Sequence, residues 1–136
     1  MNIIFLTIRN TQEKLSKLCA IAHRYFEAKT PLLFMTSDDK AREFLDDLLW
    51  KMPIDSFLPH TATNMPCKDL IAVTSARQNV NEARTIFNLT SDPLITELQA
   101  TTIYEFDESA STLRRKISEE RFNVYRQKGY AISTET

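Results

Sequence analysis

The sequence has 136 residues, 43% of them apolar and 10% aromatic, with a formal net charge of -1 and a pI of about 6.1. That length suits a single domain over residues 1–136 with a true core, and the charge excludes a protein that binds nucleic acid by bulk electrostatics. The only glycine, Gly129, excludes a Walker A loop, a GxGxxG dinucleotide turn and a GxSxG elbow, since each needs glycine where backbone meets a ligand or turns sharply.

In chain order, Asn2 to Ile8 is β-branched and apolar and predicts a central strand. Its apolar run is far too short to cross a bilayer and no basic residue precedes it, so it reads as neither signal peptide nor anchor. Thr11 opens a helix to about Ala28, with Leu15, Leu18, Cys19, Ala22 and Phe26 as its buried stripe. Pro31 to Met35 is a second strand. Ser37 sits at an N-cap position for a second helix, whose stripe is Ala41, Phe44, Leu45, Leu48 and Leu49. Pro53 ends that helix near Trp50 or Lys51.

Thr61 to Lys68 reads as a loop, Asp69 to Thr74 as a strand, and Ser75 to Glu82 as a connection. Ala83 to Leu89 and Thr102 to Phe106 are two more strands, with a short helix or turn around Pro93 to Gln99 between them. Strands alternating with helical patterns give one α/β domain, Rossmann-like and three-layered, with a mostly parallel sheet and no nucleotide-binding glycine motif. Cys19 and Cys67 suit a reducing, cytoplasmic setting without disulfides. Cys19 and His23 share a helix face but lack further ligands, so packing is expected there, and no metal or cofactor.

Two aromatics, Trp50 and Phe57, fall at the end of the second helix and in the Pro-bounded loop after it, well placed to line a surface pocket. On spacing alone, core plugs are the favoured reading, by roughly two to one. The stretch LDDLLWKMPIDSFLPH resembles the helix-to-loop signature of the chi subunit of bacterial DNA polymerase III, through Leu45, Asp46, Trp50, Pro53, Ser56, Phe57, Pro59 and His60.

The last helix is capped by Ser109 or Ser111 and runs to about Lys128, with Gly129 at its C′ position. A wheel puts Ala110, Leu113, Ile117 and Val124 on the core face. Phe122 points elsewhere, near Arg115, Glu119 and Arg126. Residues 114–128 hold six basic and two acidic side chains, a segment of +4 against -5 for the remainder. An aromatic ring among arginines can hold an acidic peptide ending in an aromatic residue; a solvated basic helix with Phe122 tucked under a loop remains an equal alternative.

The run RFNVYRQKGY, Arg121 to Tyr130, is similar to the C-terminal chi signature. The resemblance implies a non-catalytic adaptor that joins the psi subunit, and so the clamp loader, to the acidic C-terminal tail of single-stranded DNA-binding protein, touching DNA only indirectly. It implies tail binding by Trp50, Phe57, Arg115 and Phe122 in one pocket; Arg126, one turn beyond Phe122, is expected to join Arg115 in gripping the carboxylates, with binding weakened by salt and most by Trp50→Ala. Glu119 stands where the family often has arginine, and Phe122 where better known members have tyrosine. Two rival readings are a small enzyme using His60 with Asp55 or Cys67, and a weak single-stranded DNA binder using the basic last helix.

Overall fold

The computed structural model describes residues 1–52, 58–94, 98–108 and 111–135. Its elements, in order, are β1 (Asn2–Ile8), α1 (Thr11–Glu27), β2 (Leu32–Met35), α2 (Asp39–Lys51), β3 (Thr61–Ala62), β4 (Ile71–Thr74), β5 (Thr85–Asn88), β6 (Thr102–Glu108), α3 (Thr112–Gln127) and β7 (Ala131–Glu135). The strands form one seven-stranded sheet in the order β3-β4-β2-β5-β6-β1-β7. Every pairing among the described residues is parallel. The fold is the Rossmann-like α/β domain that the alternation of strands and helices predicts.

Side-chain alternation divides the core into two layers. Leu6, Ile8, Leu32, Phe34, Ile71, Val73, Phe87, Tyr104 and Phe106 face the layer of α1 and α2. Ile3, Phe5, Leu33, Met35, Ala72, Ile86 and Ile103 face the other side, where Tyr125 of α3 is wholly buried. The central strands β2, β4 and β5 are buried at every position, as their unbroken apolar runs require for strands covered on both faces.

Local chemistry sets the helix ends. Asn10 caps α1 by accepting from the Glu13 N–H at 2.8 Å. Asp38, not Ser37, caps α2, accepting from the Ala41 N–H at 2.8 Å. The carboxylate gains from the helix dipole as well as the hydrogen bond, which favours it over the neighbouring hydroxyl. The α2 helix stops at Met52, whose backbone is extended before Pro53. Ser111 caps α3. At its far end Gly129 takes φ +78° while the Tyr130 N–H donates to the Tyr125 carbonyl at 3.3 Å.

Four further expectations change. Thr61 and Ala62 pair with β4, so the loop before Ile71 contains a strand too short for periodicity to reveal. Ala131 to Glu135 forms an edge strand beside β1; its residues are mostly exposed and supply no apolar run. Phe44 is 61% exposed at the rim of the α2 stripe. On α3 the inward face is Ser118, Arg121 and Tyr125, while Leu113 is 68% exposed. Ile117 and Val124 are half-buried, and Ala110 lies outside the described residues, as do 95–97 of the expected turn.

Candidate partner-binding surfaces

The cause of the α3 rotation is a buried polar network on β6. Glu105 sits in an otherwise apolar strand and, by alternation, faces α3 with its side chain fully buried. A buried carboxylate needs partners. Tyr125 donates its hydroxyl proton to Oε2 of Glu105. Asn88 donates to the same oxygen at 2.8 Å. Arg121 places Nε 3.3 Å from Oε1 and donates from Nη2 to the Phe106 carbonyl at 3.1 Å. The Tyr125 hydroxyl also accepts from the Leu94 N–H at 2.9 Å.

Arg121 and Tyr125 are four apart, so both reach Glu105 from one helix face. Burial pushes the Glu105 carboxyl up to about 7, against the opposing pull of Arg121, Tyr125 and Asn88. The Tyr125 hydroxyl is pushed up first by burial and then by Glu105. These residues were not among the sequence candidates. The visible signal was a lone glutamate inside the apolar run TIYEF.

Phe122 therefore takes a different place from the one expected. It is half-buried against the second layer, with its ring 5.6 Å from that of Phe5. Tyr130 and Ile132 pack on the same layer. Arg115, Glu119 and Arg126 are exposed along the helix that carries it. The result is a partly covered aromatic bordered by basic side chains and by the exposed strand β7.

Trp50 stands elsewhere. It is 46% exposed at the end of α2, its ring 4.2 Å from that of His60. The His60 ring is buried, with Nδ1 2.7 Å from the Leu58 carbonyl and Nε2 2.9 Å from an Asp46 carboxylate oxygen. Thus Asp46, Trp50 and His60 form a clamp that pins the chain after the loop onto α2. Both ring nitrogens of His60 are engaged in the clamp; Asp55 lies outside the described residues. A groove of about 380 Å³ opens beside the clamp, lined by Phe26, Trp50, Pro59 and Lys68 among others.

Among the described residues, Trp50 and Phe122 do not line one pocket. The α2 helix lies over the first layer beside β3 and β4, whereas α3 lies over the second layer beside β6 and β7. The two aromatics are on opposite faces and toward opposite edges of the sheet. Arg115, Phe122 and Arg126 stay together on α3. Phe57 lies outside the described residues.

The fold and these surfaces define an all-parallel α/β protein of the doubly wound kind, without a glycine turn for a nucleotide and with aromatic groups at two separate outer surfaces. A family profile described as DNA polymerase III chi subunit, HolC, matches residues 1–133, and the chain belongs to that family. The family is that of an accessory subunit of the polymerase. No curated protein matches the chain. Among the described residues no helix is long and apolar enough to cross a membrane.

Proposed function

We propose that this chain is a non-catalytic, cytoplasmic adaptor of the bacterial replicase with two docking surfaces, one on each face of the sheet. The α3 surface takes the acidic C-terminal tail of single-stranded DNA-binding protein. The terminal aromatic of the tail packs against Phe122, and Arg115 and Arg126 pair with its carboxylates. DNA is contacted only through that partner. The observation that carries this reading is the half-buried Phe122 ring on a +4 helix segment in a chain whose remainder is -5. The Trp50 corner takes the psi subunit. Half-exposed Trp50 and exposed Met52 supply the apolar contact there.

Calorimetry with a synthetic acidic peptide ending in Asp-Phe, and separately with psi, tests the division. Arg115→Glu combined with Arg126→Glu is expected to weaken the peptide about tenfold or more, since two attractions become repulsions, and to leave psi unaffected. Trp50→Ala is expected to do the opposite. Loss of peptide binding in Trp50→Ala with the arginine variant unaffected would move the tail to the α2 face.

A further inference from the structure

A second cavity, of about 210 Å³, lies at the carboxyl ends of β5 and β6. The position follows from topology. The chain leaves β1 through α1 on one face and leaves its neighbour β6 through α3 on the other. The connections part there and open a crevice, the place where parallel α/β sheets bind ligands. Neither Trp50 nor Phe122 belongs to it.

Three cations converge on this crevice: Lys14, Arg114 and Arg121. Among the described residues the one acidic side chain in its lining is Glu108, with Lys14 Nζ at 2.5 Å and Arg114 Nη1 at 3.4 Å. Arg121 is 8% exposed, and its Nε faces the Glu105 carboxylate at 3.3 Å, on the side away from the crevice mouth formed by Lys14 and Arg114 at Glu108. Of its guanidinium nitrogens only Nη2 donates to a protein oxygen among the described residues, which leaves the Nη1 side for a ligand. Ser118 and Thr90 add hydroxyls to the wall.

The first turn of α3 lies at the same mouth. Unlike α1 with Glu13 and α2 with Asp39, it carries no acid. Arginines at the positive end of a helix dipole are mutually unfavourable unless an anion is shared between them. A guanidinium that is nine-tenths buried, a cavity in front of it and two rim cations together form a built anion site.

We propose that this crevice binds a phosphate-type oxyanion, gripped by Arg121 with Arg114 and Lys14 at the first turn of α3. With Arg121 paired to Glu105, Lys14 and Arg114 against Glu108 leave a net +1 at the mouth, which suits an oxyanion such as a phosphate monoester or free phosphate. Planar guanidiniums offer it paired N–H donors, and Phe106 and Ile117 supply an apolar part of the wall.

Calorimetry at constant ionic strength tests the site with inorganic phosphate, using the full chain, Arg121→Lys, and the rim variant Lys14→Met with Arg114→Ser. Saturable binding is expected, weakened about tenfold in Arg121→Lys and severalfold in the rim variant. The rim variant keeps the test decisive if Arg121→Lys does not fold. No saturation with phosphate, or an affinity unchanged in the rim variant, overturns the proposal. A short oligodeoxynucleotide with a 5′-phosphate, compared with its 5′-hydroxyl twin, separates the sources. Tighter binding of the phosphorylated strand identifies a strand end. Equal binding of the two strands, with phosphate itself still bound, identifies a free phosphate compound.

Discussion

The two faces of the sheet are held by different physics. Under α1 and α2 the layer is aromatic and aliphatic: Phe87 stacks on Phe34 at 5.6 Å and on Tyr104 at 5.5 Å, and meets Phe106 at 4.9 Å. Under α3 the layer is split by Glu105 and its partners. Apolar burial is strong but non-directional, so the first layer sets how firmly α1 and α2 adhere more than how they are turned. Hydrogen bonds are directional, and Glu105 fixes the rotation of α3. That rotation decides what α3 shows to the outside, including Arg115, Arg126 and the open side of Phe122.

The sharpest way to break this contrast is to remove one charge of the polar layer. Arg121→Leu leaves Glu105 buried without its cation and is expected to cost about 3–5 kcal/mol in urea unfolding. Phe34→Ala in the apolar layer is expected to cost a similar amount, about 3–5 kcal/mol, through a cavity. The two losses differ in their remedy. Glu105→Leu added to Arg121→Leu should recover most of the first loss, because paired charges can be replaced by apolar groups. A double variant as unstable as the single one would show that the layer is not organised by charge pairing.

Acidity separates the faces next. The Glu105 carboxyl stands at about 7 in the folded chain against an ordinary 4.5. Between those values the folded state binds more protons than the unfolded one. The contribution of Glu105 is therefore fully present below pH 4.5 and is lost as pH rises through about 7. Stability measured across that window should fall with rising pH, and Glu105→Gln should flatten that part of the slope. Phe34→Ala should shift the curve down without changing its shape.

The smallest effect concerns the outer surface. Glu119 is exposed one turn before Phe122. On the adaptor reading Glu119→Arg should tighten the acidic peptide by a few tenths to about 1 kcal/mol, the range of an exposed ion pair, with no change in psi binding. Weaker peptide binding in that variant would remove Glu119 from the tail surface.

Much of this architecture was legible in the chain. The runs of β1, β2 and β4, the stop at Pro53 and the Gly129 cap each state a local rule, and each element appears where its rule puts it. The turn of α3 was not legible from periodicity, because its inward positions are Ser118, Arg121 and Tyr125 rather than aliphatic residues. The separation of Trp50 from Phe122 was not legible for a different reason. Spacing along a chain does not say which face of a sheet a helix covers. That information lies in strand order and crossover handedness, and the order here depends on β3 and β7, the two strands with the weakest patterns. The Asp46–Trp50–His60 clamp gives the spacing of the loop signature a physical cause that residue types alone did not reveal.

The parallel pairing of β1 with β6 and β7 carries a consequence for how the chain comes together. Of the described strands, the first in the chain is flanked on both sides by the last two. Its backbone groups must wait, solvated or held by a chaperone, until more than 90 residues have followed; Asn2 pairs with Thr102. Closing so long a loop costs entropy before any pairing rewards it, which slows assembly. Meanwhile α1, α2, β2 and β4 can gather locally. Pairing order thus departs from chain order for β1, and a nascent chain halted before β6 would present Ile3, Phe5 and Leu6 on an unpaired strand.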